Sequence, residues 1–181
     1  MLVSGIPMHR IKDTDPYRDT LEKIRTIKPV IGRVLDTATG LGYTAIAAAK
    51  SADHVITIEL DMAALKVARH NPWSQMLFEN HRIFQVLGDS YDVVNGFIGD
   101  SFDRIIHDPP VISLAGDLYS EAFYIQLYRI LRSGGRLFHY IGDPQSKSGR
   151  NTTASVSQRL LDAGFKRVKR TPLAFGVVAY K

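Results

Sequence analysis

An aspartate followed by two prolines, in His107-Asp108-Pro109-Pro110, closes an apolar run that begins at Phe102. Each proline fixes its own φ and restricts the residue before it to extended conformations. A loop stiffened in this way presents the Asp108 carboxylate and nearby main-chain carbonyls as preorganised acceptors. Such acceptors hold the N–H groups of an amine and aim its lone pair at an electrophilic carbon. A second segment, Asp36-Thr37-Ala38-Thr39-Gly40-Leu41-Gly42, is built of small residues that let the backbone pass close to a ligand at a helix N-terminus. Glu59 lies 19 residues beyond Gly40, at the end of the β-branched run Val55-Ile56-Thr57-Ile58. An acid there can accept hydrogen bonds from both hydroxyls of a ribose.

The elements around these residues alternate. Val34-Leu35, Val55–Ile58, Arg82–Val86, Phe102–His107 and Arg136–Ile141 read as strands, with helices at Tyr43–Lys50, Met62–Asn71, Tyr91–Phe97, Tyr119–Leu131 and Thr153–Ala163. Phe165–Arg170 and Phe175–Tyr180 form two closing strands, near enough in sequence to pair antiparallel. The pattern predicts an α/β doubly wound sheet of seven strands, mostly parallel with an antiparallel C-terminal strand, and ligands at the carboxyl ends of its strands. Residues 1–181 read as one domain, in which residues 1–30 form a leader with a helix over Tyr17–Ile27. Asp15-Pro16 suits the start of that helix.

Charge narrows the cofactor. Asp36 sits where the pyrophosphate of a dinucleotide approaches, and no Gly-Lys-Ser/Thr follows the glycine loop. An acidic loop instead suits the sulfonium and ammonium of S-adenosyl-L-methionine, although Asp36 also fits as a helix cap. His107 and His139 end the fourth and fifth strands and should be neighbours, but no metal-ligand spacing is present and no metal is expected. Tyr119, Phe123 and Tyr124 offer rings near the Asp108 loop, and their spacing fits helix core better. The lone Trp73 either packs near a cofactor base or fills a gap.

The segment Val34-Leu35-Asp36-x-x-x-Gly40-x-Gly42 resembles motif I of the Rossmann-like, class I S-adenosylmethionine-dependent methyltransferases, with Ala38 where a glycine is common. The resemblance runs from about residue 30 to the end and implies cofactor contacts at Asp36, Ala38, Gly40, Gly42, Glu59, Leu60, Asp89 and Ser90. In related folds a leader such as residues 1–30 covers the cofactor cleft, and the resemblance implies the same here. Gly88-Asp89-Ser90 takes the position that contacts adenine. Asp108-Pro109-Pro110 is similar to the Asp/Asn-Pro-Pro-aromatic motif of amino-group methyltransferases, which makes these three the catalytic candidates; Val111 replaces the aromatic. The wider pattern resembles an archaeal group of methyltransferases, some labelled spermine-synthase-like, which shares Met8-His9-Arg10. His9, Arg10, His107, Tyr119 and Tyr124 are the corresponding candidates for acceptor contacts.

The implied activity is methyl transfer to an amino nitrogen, with an amine-bearing acceptor such as RNA or a polyamine. Aminopropyl transfer from decarboxylated S-adenosylmethionine is the rival, because those enzymes also place an Asp at the end of the fourth strand. A non-catalytic nucleic-acid-binding module is the third reading. Residues 129–181 hold 11 Lys and Arg against two Asp, a balance of +9, whereas residues 1–128 hold 12 against 16. That asymmetry is either a polyanion-binding face or a set of solvated strand and helix ends. Lys147 and Arg150 are candidates for a phosphate. The absence of cysteine excludes disulfides, thiolate metal sites and cysteine nucleophiles. No apolar run is long enough to span a membrane and no signal pattern opens the chain, so the expected location is cytoplasmic.

Overall fold

The computed structural model describes residues 2–3, 6–7, 9–10 and 14–181. Of the leader, Met8 and residues 11–13 therefore lie outside the described residues, as does the side chain of Lys147. Seven strands form the central sheet: β1 (Arg33–Asp36), β2 (His54–Glu59), β3 (Ile83–Leu87), β4 (Phe102–His107), β5 (Leu131–Tyr140), β6 (Arg167–Thr171) and β7 (Gly176–Tyr180). Their order is β3-β2-β1-β4-β5-β7-β6, and only β7 runs antiparallel to its neighbours. The fold is the Rossmann-like one expected from the alternation. A short antiparallel ribbon, Leu2–Val3 with Ile6–Pro7, stands apart from the sheet.

Strand alternation divides the core into two layers. Val34, Ile106, Phe138 and Val178 point to one face, where they meet α2 (Tyr43–Ala48) and Ile24 and Ile27 of the first helix region. Leu35, Ile105, Leu137 and Val177 point to the other, against α6 (Glu121–Ile130) and α7 (Lys147–Asp162). Helix α1 (Pro16–Thr26) begins where Asp15-Pro16 predicts: Pro16 opens the helix and the Asp15 side chain accepts from the Arg18 amide. Helices α3 (Met62–Arg69), α4 (Gln75–Glu79) and α5 (Ser90–Val93) complete the set.

Three local expectations change. Helix α7 starts at Lys147, six residues before Thr153, because Ser146 caps it by accepting from the Gly149 amide. Strand β5 begins at Leu131, ahead of the expected Arg136, and Ser133-Gly134-Gly135 lie in an irregularity of its register with β4. Trp73 fills no gap, being 81% exposed. No helix among the described residues is long and apolar enough to cross a membrane.

Candidate active site at the carboxyl ends of β1 to β4

The order reversal lies between β1 and β4, and the loops that leave these two strands face each other. Asp36, the last residue of β1, is fully buried. Its Oδ2 accepts from Thr44 Oγ1 at 3.1 Å and from Thr57 Oγ1 at 3.0 Å. Its Oδ1 has no hydrogen-bond partner. Burial pushes the Asp36 carboxyl up to about 7, against the two threonine hydrogen bonds and with help from the negative charges of Asp108 and Glu59.

The glycine loop is pinned from three sides. Gly40 and Gly42 take left-handed φ values of 52° and 77°, and a Cβ on Gly42 would lie 2.7 Å from the Leu77 side chain. Gly42 in turn caps α2. Glu59 accepts from the Gly40 amide at 2.8 Å and from the Asp61 amide at 2.9 Å, so the acid that ends β2 orders the turn after β1. Ala38 lies half-buried in this turn, whereas Leu60 is exposed. On the far side, Ser90 donates to the Thr37 carbonyl at 2.6 Å. Asp89, exposed at the end of the β3 loop, caps α5 through the Tyr91 amide.

Asp108 does not stand alone. Lys23 Nζ on α1 lies 2.7 Å from Asp108 Oδ2 and 2.8 Å from Asp19 Oδ2, and Arg10 Nε lies 3.1 Å from Asp19 Oδ1. Burial opposes a charged Lys23, but Asp108 and then Asp19 outweigh it and hold the ammonium above its ordinary range. The same ammonium lies 4.5 Å from the centre of the Tyr140 ring. Arg10 lies 4.0 Å over the Phe175 ring and donates to the Leu173 carbonyl. His9 stacks on Tyr43, the first residue of α2, at 5.1 Å between ring centres. Pro109 is buried and Pro110 exposed.

A buried polar layer supports this loop from behind. His107 Nε2–H donates to the Leu118 carbonyl at 2.9 Å, which leaves Nδ1 to accept from Thr37 Oγ1 at 2.6 Å. Burial lowers the His107 pKa to about 4, against the Leu118 hydrogen bond and the Asp108 charge, so the ring is neutral. Tyr119 donates to the Pro110 carbonyl at 3.0 Å, and the Tyr124 hydroxyl bonds His139 Nε2 at 2.8 Å. His107 and His139 are register partners, as their strand positions predict, with ring centres 4.3 Å apart. His107, Tyr119 and Tyr124 are all buried, so the structure places them beneath the loop, with Tyr119 and Tyr124 in the helix-side core. Among the described residues, no three His, Asp or Glu side chains group as metal ligands.

A family model for the methyltransferase small domain matches residues 20–168. The chain belongs to the methyltransferase small domain family. An uncharacterized protein of Methanocaldococcus jannaschii is 50% identical over 181 residues, 99% of this chain and 62% of that protein. The chain thus spans less than two thirds of that relative's length. Among solved structures, a spermidine synthase in complex with the transition-state analogue AdoDATO superposes with a TM-score of 0.76 at 20% identity, over 92% of this chain and 61% of that one. A Methanococcus maripaludis protein assigned as an S-adenosyl-L-methionine-dependent methyltransferase gives a TM-score of 0.65 at 18% identity, over 92% and 85%. At these identities the likeness is one of fold.

Three members of the site, Lys23, Asp19 and Thr37, escaped the sequence reading. Lys23 and Asp19 stand four residues apart on α1, a spacing that signals an ion pair along the helix. Nothing in that spacing points to Asp108. Thr37 looked like a small loop residue, yet its hydroxyl and carbonyl join the loops after β1, β3 and β4.

Proposed function

We propose that this domain binds S-adenosyl-L-methionine and directs methyl transfer to an amino nitrogen of its acceptor. The cofactor, when bound, supplies an electrophilic methyl carbon on a cationic sulfur. The chain's own residues fit such a group. Asp36 offers a buried oxygen without a partner, and its raised pKa marks a site where a nearby cation would be favourable. Glu59 is held by two amides, which leaves lone pairs on both oxygens for ribose hydroxyls. Ala38, Gly40, Gly42 and Leu60 line the approach, and Asp89 faces the adenine position. Ser90 acts by fixing Thr37. His9 against Tyr43 and Arg10 against Phe175 support a covering role for the leader.

The observation that carries the reading is the pairing of Asp108 with Lys23. Around the reacting loop, Arg10 and Lys23 balance Asp19 and Asp108. A balanced set provides little net attraction for a polyammonium chain and suits a neutral amine. Asp108 then accepts an amine N–H, and its charge offsets the positive charge that develops on nitrogen as the new bond forms. Pro109 and Pro110 hold the geometry, backed by Tyr119 on the Pro110 carbonyl. Positioning does most of the work in such a displacement.

Calorimetric titration with S-adenosyl-L-methionine and with its decarboxylated form separates the readings. Tighter binding of the intact cofactor is expected. Preference for the decarboxylated form would overturn methyl transfer in favour of aminopropyl transfer, and binding of neither would leave a non-catalytic module.

A further inference from the structure

The central sheet ends at β3 on one side and at β6 on the other. β6 carries charge along its edge: Arg167, Lys169 and Arg170 are exposed, with Lys166 just before them. Such charges keep a strand edge from pairing with another chain. β3 has no such protection. Ile83-Phe84-Gln85-Val86-Leu87 contains no charged residue, no proline and no glycine. Phe84 and Leu87 are each half exposed, and Gln85 is exposed between them.

The hydrogen bonds to β2 define which backbone groups are open. The Val55 amide donates to the Arg82 carbonyl and the Gly88 amide to the Glu59 carbonyl, so the even-numbered residues face β2. The amides and carbonyls of Ile83, Gln85 and Leu87 therefore point out of the sheet. The Asn80 carbonyl accepts from the Ile83 amide. The Ile83 carbonyl and both groups of Gln85 and Leu87 have no backbone partner among the described residues.

The sequence around β3 is complementary to its own reverse. A second copy set antiparallel about Gln85 puts Ile83 opposite Leu87, Phe84 opposite Val86 and Gln85 opposite Gln85. The outward residues then face each other, as an antiparallel ladder requires. Two hydrogen bonds close the central Gln85 pair, and on either side the Leu87 amide meets the Ile83 carbonyl. Charge agrees with this register. Arg82 falls opposite Gly88 and His81 opposite Asp89, so the basic end of each strand meets the acidic end of the other. Arg82 and Asp89 are exposed and have no ion-pair partner among the described residues. A shift of one residue turns the backbone groups away from each other, and a shift of two sets Leu87 against His81 or Ile83 against Asp89.

We propose that the protein forms a twofold-symmetric dimer through β3, with Gln85 of each copy on the axis. Two seven-stranded sheets become one continuous sheet, and the contact closes on itself rather than propagating. The pairing holds whatever ligand the site binds.

Sedimentation equilibrium should give a mass near twice 20.2 kDa. Gln85 faces its own copy, so Gln85→Lys and Gln85→Glu each set like charges against each other. Either variant alone should raise the dimer dissociation constant about tenfold or more. An equimolar mixture of the two should recover the dimer, with opposite charges now paired. Both variants lose the Gln85 bond to the Leu77 carbonyl, so recovery on mixing reads the pairing alone. Lys169→Glu on the β6 edge should leave the mass unchanged. Amide exchange followed by NMR needs no variant, and protection at Gln85 and Leu87 should rise with protein concentration. No recovery in a mixture of folded variants, or a dimer in which these two amides exchange freely, would overturn the proposal. A monomeric parent would overturn it too and leave the edge to a strand of another protein.

Discussion

Lys23 Nζ lies 2.7 Å from Asp108 Oδ2, tying the first helix to the loop that ends β4. The lysine side chain is 8% exposed and the aspartate side chain 21% exposed, so water screens the pair only in part. Removing one member of a buried pair costs more than the pair contributes, because the other charge is left without compensation. Lys23→Met should therefore destabilise the protein by about 3 kcal/mol in a urea melt. Adding Asp108→Asn should restore part of that loss, since Asp19 keeps Arg10 as a partner. Strict additivity of the two substitutions would show that the pair is not coupled.

Asp108→Asn alone keeps the shape of the loop and one acceptor oxygen but removes the charge. It should lower turnover about a hundredfold while leaving S-adenosyl-L-methionine affinity within a factor of two or so. A parallel fall in cofactor affinity would move Asp108 from the acceptor to the cofactor.

Glu59→Ala removes the carboxylate that holds the Gly40 and Asp61 amides and faces the ribose position. Calorimetry should show cofactor binding weakened by about tenfold or more, since hydrogen bonds to charged groups contribute roughly 1.5–3 kcal/mol each. Unchanged affinity would sink the ribose assignment.

Cofactor affinity should also depend on pH through Asp36. Its carboxyl is pushed up to about 7 by burial, so raising the pH through 7 ionises it and strengthens attraction for the cofactor's cations. The affinity gain should disappear in Asp36→Asn. Persistence of the gain in that variant would assign it to another group.

Stability should fall on acidification below about 6.5. His107, lowered to about 4, and His139, lowered well below its ordinary value of 6.5, stabilise the fold while neutral and lose that contribution as pH falls through the window between. Burial is the main cause for both. Asp36 has the opposite sign, because its folded value near 7 exceeds 3.8 and its contribution grows as pH falls. His9, also lowered mainly by burial, adds to the two buried histidines, so the histidines outnumber Asp36 and the net effect is a loss of stability as pH falls. Asp36→Asn should steepen this loss, and a flat profile of melting temperature from pH 6.5 to 4.5 would refute the assignment.

Local chemistry made much of this fold legible. Buried parallel strands such as Ile105-Ile106 are continuous apolar runs, and Asp15-Pro16 is a helix start that few other contexts explain. The first turns of α7 were hidden because Ser148, Gly149 and Asn151 are poor helix formers, and only the Ser146 cap announces the start. Helix α4, with five residues, is too short to show a period. The site divides in the same way. Asp36, Glu59 and Asp108 end strands and could be located by position, whereas Lys23 reaches Asp108 across 85 residues of chain. That contact depends on how α1 crosses the sheet, which no local pattern encodes.

Arg10 donates to the Leu173 carbonyl across 163 residues and lies against the Phe175 ring. In a chain made from its N-terminal side, the carbonyl and ring that hold Arg10 are synthesised after β1 to β5. The sheet from β1 to β5 can assemble before them. Arg10 therefore has no seat until Leu173 and Phe175 have been made, and the balanced charges around Asp108 are completed only when the closing hairpin has folded. A nascent chain stalled before Leu173 would hold the cofactor loops in place with the acceptor side of the site still open.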